Sequence, residues 1–362
     1  MKNNKYSDYK ILHFDGKLDS FKNDIITSPV YIRIKPTNIC NHGCFFCVYS
    51  AGFRPKDKEN HIKSGMHSDI NEKDTIPTKK LMEILEDLNE IGVKAVTYSG
   101  GGEPLLHKDI VKVMQRTLDY NIDLSILTNG QRLNGDKACV LSKAKWVRIS
   151  MDYSDSTQMI NSRNVDDRCF NEVIGNIINF SKIKRKSCEL AVNYIIYNGN
   201  FHNIYDFSKF LKEIGIENIR YSPMWVPNFY DYHSKIAEDV QRELDKVSAL
   251  VDDSFAINTT YNIQPNSSHS VNRNYERCYI MQTVPVIAAD MCVYTCHNKA
   301  YDKTGKIGSI RDMRFKEMWF SDATKNFFRN FNPREVCRHE CSNDRKNILI
   351  NSFLEANVDN FI

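Results

Sequence analysis

The sequence lacks both a strong excess of one charge and any long apolar run. Its 362 residues carry 49 Lys and Arg against 45 Asp and Glu, which leaves a net charge of +4. Such a balance, with the basic residues dispersed, is not the footprint of a nucleic-acid-binding protein. No apolar stretch reaches the about 18 residues of a membrane-spanning helix, and the polar start has no apolar signal segment. We therefore expect a cytoplasmic protein that binds neither nucleic acid nor membrane.

Cysteine is the residue type whose number and placement are most informative. There are 11 cysteines, an odd number, and most of them lie in two groups. The first group is Cys40, Cys44 and Cys47, and the second is Cys278, Cys292, Cys296, Cys337 and Cys341. Without a secretion signal, clustered cysteines indicate metal ligands rather than disulfides. The isolated cysteines are expected to be structural; they are Cys139, Cys169 and Cys188.

Between the two cysteine groups, short β-rich runs alternate with amphipathic helical patterns. Six strands are predicted, at residues 30–35, 93–98, 122–127, 146–151, 190–197 and 218–222. Apolar residues recur at helical spacing between them, as in residues 81–91, and Gly92 is a plausible end for that helix. Strands that alternate with helices predict parallel pairing with right-handed crossovers. We predict an α/β fold, a (β/α)6 partial TIM-like barrel closed by a helix over residues 234–251.

The predicted barrel occupies residues 28–258 and follows an N-terminal extension of residues 1–27. Residues 259–276 are rich in Asn, Ser and Pro, which is the composition of a linker. The second cysteine group falls in a small domain at residues 277–345 with a short predicted helix near residues 315–320. Residues 346–362 follow as a C-terminal tail.

Cys40, Cys44 and Cys47 form a CxxxCxxC motif directly after the first predicted strand. Three thiolates can hold three irons of a 4Fe–4S cluster and leave the fourth iron open to another ligand. The alternatives are a zinc site completed by His42 and a set of three buried structural cysteines. Because zinc sites favour paired CxxC units, the motif favours the iron–sulfur cluster.

This motif resembles the CxxxCxΦC signature of the radical S-adenosylmethionine (SAM) superfamily, in which an aromatic residue precedes the last cysteine. Further motifs lie in the family's order, each after a predicted strand: Ser-Gly-Gly-Gly-Glu at 99–103, Thr-Asn-Gly at 128–130 and Ser-Met-Asp at 150–152. The resemblance covers about residues 28–225. It implies that a set of residues binds SAM: Phe46, Gly101, Gly102, Glu103, Ser150, Arg163 and Asn193.

The resemblance also implies specific roles and a reaction. Phe46 would lie against the adenine, and the carboxylate of Glu103 would pair with the methionine ammonium. Ser150 and Arg163 would bind the carboxylate and ribose region of SAM. A flavodoxin or ferredoxin would supply one electron, which splits SAM into methionine and a 5′-deoxyadenosyl radical. That radical removes a hydrogen atom from an unactivated C–H bond of the substrate.

The second cysteine group surrounds residues 305–319, which resemble the auxiliary-cluster segment of SPASM and twitch domains in this superfamily. The count fits the four-ligand twitch type, with a second 4Fe–4S cluster held by Cys278, Cys296, Cys337 and Cys341. Met291 stands where the family pattern has a glycine, and the last pair is CxxxC instead of CxxC. Cys292 is left over. It is either a buried structural cysteine or a hydrogen donor near the auxiliary cluster, as in radical epimerases of this group.

The expected reaction follows from one auxiliary cluster and a short segment before Cys40, which resemble sugar and aminocyclitol dehydrogenases and epimerases. We expect a small hydroxyl-rich substrate, with dehydrogenation favoured over epimerisation. The alternative enzyme is a maturase that modifies a peptide or protein side chain. A non-catalytic iron–sulfur electron-transfer protein agrees less well with the Gly-Gly-Glu motif and the open three-cysteine site.

Overall fold

A ten-stranded sheet forms the centre of the computed structural model, which describes residues 7–49, 69–226, 228–263, 273–337 and 341–356. The strand order is β10-β9-β8-β1-β2-β3-β4-β5-β6-β7. The strands are β1 (Tyr31–Ile34), β2 (Ala95–Tyr98), β3 (Asp123–Thr128), β4 (Trp146–Ser150), β5 (Glu189–Ile196), β6 (Asn218–Pro223), β7 (Ala256–Thr259), β8 (Val286–Ile287), β9 (Cys292–Tyr294) and β10 (Lys306–Ser309).

Helices alternate with the first strands and then fill the C-terminal part of the chain. They are α1 (Asp15–Lys22), α2 (Thr78–Glu90), α3 (Ile110–Asp119), α4 (Gly135–Leu141), α5 (Ser156–Arg163), α6 (Arg168–Ile183), α7 (Ile204–Glu213), α8 (Phe229–His233), α9 (Ala237–Ser248), α10 (Ile280–Thr283), α11 (Phe315–Trp319), α12 (Asp322–Asn330), α13 (Pro333–Val336) and α14 (Asp344–Glu355). None of the helices in the described part of the chain is long and apolar enough to cross a membrane.

The predicted partial barrel is confirmed. Strands β1 to β6 correspond to the six predicted strands and pair in parallel in sequence order. Helix α9 corresponds to the predicted closing helix. The remaining four strands were not predicted, and of these β7 continues the parallel sheet beside β6. Strands β8, β9 and β10 extend the other edge, with β8 parallel to β1 and the last two antiparallel.

The pairing register gives the sheet two chemically different faces. In-register residues of parallel strands point to the same side. On one side Ile32, Val96 and Leu124 join the large buried apolar cluster that also contains helix residues. On the other side, Ser150 pairs with Asn193, which pairs with Arg220. The helices therefore cover the apolar face, and the polar face is the interior of the barrel.

The two ends of the described chain meet on the auxiliary domain. Ile11, Leu18 and Phe21 from the N-terminal segment form a buried cluster with Ile280 and with Ile350 of α14. The predicted extension (1–27) and the predicted tail (346–362) thus pack together in their described parts. The predicted linker (259–276) begins at the last residue of β7, and its residues 264–272 lie outside the described part of the chain.

Candidate active site

The three cysteines of the first group lie in the loop that follows β1. This loop is docked on α5, because Gly43 N donates to Arg163 O at 2.7 Å and Phe45 N donates to Ser162 O at 3.2 Å. Burial raises the pKa of the Cys40 thiol to about 12, and electrostatic repulsion from Cys44 and Cys47 contributes to this rise. The three thiols are therefore close enough to act on one another.

These thiols fit an iron–sulfur cluster by their chemistry. Burial and mutual repulsion disfavour three adjacent thiolates, and a bound cation reverses that preference, because coordinated thiols lose their protons. In the described residues, no three Cys, His, Asp or Glu side chains form a group that could hold a single metal ion. The fit to a cluster therefore rests on the donor set and its burial.

The Gly-Gly-Glu segment lies after β2 and directly against the chain that leads into the cysteine loop. A Cβ on Gly101 would stand 1.9 Å from Asn38 Oδ1, and one on Gly102 would stand 2.2 Å from Ile39 O. Gly102 N donates to Thr37 O at 3.0 Å. Since a Cβ on Gly101 would meet the Asn38 side chain and one on Gly102 would meet the backbone of Asn38 and Ile39, only glycine permits this close approach.

Glu103 is buried and its carboxylate accepts three hydrogen bonds. Thr128 Oγ1 and Leu105 N donate to Oε1 at 2.7 and 3.0 Å, and Asn129 N donates to Oε2 at 2.7 Å. Burial raises the pKa of this carboxyl, while these donors act against the shift. Glu103 thus ties the end of β2 to the end of β3. A carboxylate offers about four acceptor sites, so about one is left, which could accept one hydrogen bond from the methionine ammonium that the family resemblance predicts.

Arg163 lies beside the cysteine loop in a buried ion pair with Asp152. One of its nitrogens is 3.3 Å from Cys44 Sγ, and another donates to Ser150 O at 3.2 Å. Its guanidinium also lies 5.4 Å from the centre of the Phe46 ring. Burial lowers the pKa of Arg163, but the Asp152 carboxylate outweighs this and holds it well above its usual value.

Two buried polar atoms of this pair have no hydrogen-bond partner among the described residues: Asp152 Oδ2 and Arg163 Nε. Such orphaned atoms at the mouth of the barrel fit a site that receives a polar ligand. Sequence reasoning identified Arg163 but gave Asp152 no role, although Asp152 follows Ser150 by two positions.

The remaining predicted SAM contacts lie at the ends of β4 and β5 and in the cysteine loop. Ser150 and Asn193 are register partners on the polar face of the sheet. Phe46 stands near Tyr197, with ring centres 6.3 Å apart, and Phe45 packs edge-on against Tyr197 at 5.2 Å. The structure therefore brings Phe46, Ser150 and Arg163 to one end of the barrel, and it adds an aromatic partner that the sequence did not reveal.

Four cysteines of the second group lie near one another: Cys278, Cys296, Cys337 and Cys341. Burial raises the pKa of the Cys278 thiol well above its usual range, and the other three thiols raise it further. The four predicted auxiliary ligands are therefore neighbours, and their donor set fits a fully ligated 4Fe–4S cluster.

Cys292 stands apart from these four thiols. Its neighbours are Asp290 and Lys306, and burial followed by the Asp290 charge raises its pKa. It packs in a small buried cluster of mostly apolar residues from the β8–β9 hairpin and the following loop, which includes Tyr294 and Tyr301.

The backbone conformation of Met291 shows how this hairpin accommodates the departure from the family pattern. It lies in the turn between β8 and β9 with φ 62°, in the left-handed region that glycine occupies without strain. The backbone conformation that the glycine would provide is therefore kept, at a cost of about 1 kcal/mol for a residue with a Cβ.

Lys35 lies between the two cysteine groups, and the sequence analysis missed it. It directly follows β1, is 1% exposed and donates a hydrogen bond to Gly100 O. Its ammonium lies 3.9 Å from the centre of the Tyr49 ring. Burial and the nearby Arg33 lower its pKa to about 7, while Cys47 and Cys296 act in the opposite direction. A charged residue directly after a strand, five positions before the CxxxCxxC motif, is the signal that could have found it.

A large cavity elsewhere is not part of this site. It has a volume of about 680 Å³ and is lined by residues such as Lys184, Glu217 and Asp252. These residues lie around the amino-terminal ends of β5, β6 and β7. The cysteine loop and the glycine segment follow the carboxyl ends of their strands, at the opposite end of the sheet.

Comparison with known protein families identifies both halves of the site. The radical SAM superfamily model matches residues 34–219, just over half of the chain. The chain belongs to the radical SAM superfamily. An iron–sulfur cluster-binding domain of the SPASM type matches residues 278–342. This protein is thus a radical SAM enzyme whose cofactors are SAM and two 4Fe–4S clusters.

Curated relatives include enzymes named GTP 3′,8-cyclase. A probable GTP 3′,8-cyclase of Methanocaldococcus jannaschii is 26% identical over 60% of this chain and 67% of that protein. One from Methanothermobacter thermautotrophicus is 29% identical over 51% of this chain and 54% of that protein. The chain therefore aligns with about half to two thirds of the length of these relatives.

Solved structures with the same fold include two proteins with bound SAM. SuiB of Streptococcus suis bound to S-adenosylmethionine has a TM-score of 0.63 and 18% identity, and covers 98% of this chain and 81% of that chain. The protein described as native anSMEcpe with bound AdoMet has a TM-score of 0.58 and 19% identity, with 83% of both chains covered. At these identities the likeness concerns the fold.

Proposed function

We propose that this radical SAM enzyme dehydrogenates a hydroxyl group of a small, hydroxyl-rich substrate of the sugar or aminocyclitol type. The observation that carries the proposal is the buried Lys35 between the two cysteine groups. Conversion of an alcohol to a carbonyl removes one hydrogen atom from carbon, one proton from oxygen and one electron. The protein must therefore hold a proton acceptor between the site of hydrogen abstraction and the site of electron transfer.

The hydrogen atom, the electron and the proton each need an acceptor. When bound, SAM and its cluster supply the 5′-deoxyadenosyl radical that takes the hydrogen atom, and the auxiliary cluster supplies an acceptor for the electron. Lys35 takes the hydroxyl proton; its buried amine interacts electrostatically with one cysteine of each group, Cys47 and Cys296.

The surroundings of Lys35 support this role. A lysine with an ordinary pKa near 10.4 would hold its proton at neutral pH, whereas burial and Arg33 bring the pKa of Lys35 to about 7. A neutral amine is then accessible under working conditions, which is what a general base requires. The Gly100 carbonyl and the Tyr49 ring fix the direction of the side chain.

The polar face of the barrel supports a hydroxyl-rich substrate. Thr97 and Ser125 share a hydrogen bond of 2.8 Å there, and Ser150, Asn193 and Arg220 continue the same face. Hydroxyl and amide groups that line a site select substrates able to pair with them, since unpaired polar groups are costly to bury.

Cys292 favours dehydrogenation over epimerisation. A hydrogen donor must reach the substrate radical, but Cys292 interacts with Asp290 and Lys306 and packs in the small buried cluster that includes Tyr294 and Tyr301. Dehydrogenation does not need this thiol.

Three sets of residues hold the cofactors. The SAM-binding cluster is held by Cys40, Cys44 and Cys47. The auxiliary cluster is held by Cys278, Cys296, Cys337 and Cys341. The SAM molecule is bound by Phe46, Gly101, Gly102, Glu103, Ser150, Arg163 and Asn193. A flavodoxin or ferredoxin is the proposed electron donor.

The test compares two buried lysines. Lys35→Met keeps most of the aliphatic side chain and removes the amine. Lys17→Met is the matched control, because Lys17 is also buried and has its pKa lowered to about 7, but contacts Thr27 and Ser28 in the N-terminal segment. Both reconstituted enzymes are incubated anaerobically with SAM, a reductant and a panel of sugars, aminocyclitols, nucleotide sugars, GTP and short peptides.

The expected result is a product of the wild type and of Lys17→Met that has lost two hydrogen atoms from a sugar or aminocyclitol. Lys35→Met should still cleave SAM and yield about a hundredfold less product or lower, since a general base typically contributes about 10²- to 10⁴-fold. Full product formation by Lys35→Met would overturn the role of Lys35. Modification of the peptides alone would favour the maturase, and conversion of GTP alone would favour a cyclase.

A further inference from the structure

Helix α14 carries a buried amide that reaches one of the proposed auxiliary ligands. Asn347 is 0% exposed, and its Nδ2 lies 3.4 Å from Cys278 Sγ. The match to the SPASM domain ends at residue 342, before this helix begins. The contact is therefore a property of this chain outside the matched segment.

The orientation of the Asn347 amide is fixed by its other partners. Ile280 N donates to Asn347 Oδ1 at 3.2 Å. Because a backbone N–H can only donate, the oxygen must face Ile280 and the NH2 group must face the sulfur. The second NH2 contact is with Tyr275 Oη at 3.5 Å.

A small polar network holds the helix in this position. Tyr275 Oη donates to Asp344 Oδ1 at 2.8 Å, and Arg273 lies 3.4 Å from the same carboxylate oxygen. Arg273 in turn lowers the pKa of Cys337 and Cys341, against the larger effect of their burial. The network thus joins α14 to three of the four proposed auxiliary ligands.

A fully buried amide is costly unless its hydrogen bonds are used. All the polar atoms of Asn347 are used here, and one donor is directed at a sulfur. Hydrogen bonds to the sulfurs of an iron–sulfur cluster are among the features that set its reduction potential. The positive end of an N–H group stabilises the reduced cluster more than the oxidised one, because the reduced cluster carries one more negative charge.

We propose that Asn347 is a positioning residue that raises the reduction potential of the auxiliary cluster through its hydrogen bond to Cys278. The inference rests on the proposed assignment of Cys278 as a ligand of that cluster. A higher potential makes the auxiliary cluster a better electron acceptor, which deepens the proposed dehydrogenation. Helix α14 then belongs to the auxiliary-cluster site, because it carries Asn347.

The test is a redox titration of the reconstituted full-length enzyme, followed by electron paramagnetic resonance. Asn347→Leu removes the donor, and Asn347→Asp keeps the shape and the acceptor oxygen but replaces the donor by a second oxygen. Asn351→Leu is the matched control, because Asn351 lies one turn further along α14 and its amide donates to Arg277 O at 3.2 Å. The variant with Ala at Cys40, Cys44 and Cys47 assigns each signal to its cluster.

The expected result is a more negative potential for the auxiliary cluster in Asn347→Leu and a still more negative one in Asn347→Asp. The potential of the SAM-binding cluster and both potentials of Asn351→Leu should match the wild type. Unchanged auxiliary potentials in iron-replete Asn347 variants would overturn the proposal. So would loss of the auxiliary irons from both Asn347 variants, which would give Asn347 a role in assembly instead. Because the titration contains no substrate, its result is independent of whether the proposed dehydrogenation is right.

Discussion

Removal of the Arg163 guanidinium is expected to destabilise the fold strongly, because it leaves a buried carboxylate without its partner. The side chains of Arg163 and Asp152 are 5% and 0% exposed. Arg163→Met keeps most of the aliphatic stem and deletes the charge. Breaking a buried ion pair by removing one partner costs about 3–5 kcal/mol of the free energy of unfolding. The contacts of Arg163 with Cys44 Sγ and Ser150 O are lost as well.

An exposed ion pair of the same chain provides the control. Arg168 and Asp166 lie 3.3 Å apart, but their side chains are 75% and 72% exposed. A solvent-exposed pair contributes about 0–1 kcal/mol, so Arg168→Met should leave the unfolding free energy nearly unchanged. The double variant Asp152→Asn/Arg163→Met should recover part of the loss, because no uncompensated charge is left in the interior.

Urea unfolding of the reconstituted proteins under anaerobic conditions measures these differences through the midpoint and slope of each transition. An Arg163→Met variant within about 1 kcal/mol of the wild type, or indistinguishable from Arg168→Met, would refute the buried-pair reasoning. Equal losses in the single and double variants would show that the side-chain packing of Arg163, and not the stranded charge, carries the effect.

Three further substitutions and one control test the site more locally. Gly101→Ala would place a Cβ 1.9 Å from Asn38 Oδ1 and should abolish SAM binding in a calorimetric titration. The control is Gly175→Ala in α6, where the added Cβ would face open space, so this variant should bind SAM and stabilise the helix by about 1 kcal/mol. Equal SAM affinities of the Gly101 and Gly175 variants would contradict the reasoning. Glu103→Gln should weaken SAM binding by about ten- to a hundredfold, and unchanged affinity would remove that role. Cys292→Ala should keep both clusters and full turnover. Loss of product with intact iron, or solvent deuterium at the reacting carbon of the wild-type product, would instead indicate epimerisation.

Much of the barrel could be predicted from the sequence, because its strands repeat a local pattern. Each of β1 to β6 is a β-rich run bounded by helical periodicity or a turn. Strand β7 (Ala256–Thr259) was missed because its four residues contain Asn and Thr and adjoin a linker-like composition. Strands β8 and β9 have two and three residues, too few for any periodicity to appear.

The site could be predicted where the chemistry is carried by local motifs. The cysteine spacings and the Gly-Gly-Glu segment identify themselves by sequence. The position of Lys35 relative to the two cysteine groups could not be predicted, since it depends on the pairing of β1 with β8 of the auxiliary domain. The Asp152–Arg163 pair and the Asn347 contact likewise join residues that come together only in the folded chain. Met291, whose φ lies in the left-handed region, shows that a departure from a family pattern can leave the backbone geometry intact.

The central claim is that Cys40, Cys44 and Cys47 hold the cluster that binds SAM, separately from the auxiliary cluster. The most direct measurement is iron content together with 5′-deoxyadenosine formation, for the wild type and for the variant with Ala at these three positions. The account predicts about eight irons in the wild type and about four in the variant, with no 5′-deoxyadenosine from the variant. Iron that is unchanged or falls to zero in the variant, or continued formation of 5′-deoxyadenosine, would contradict it.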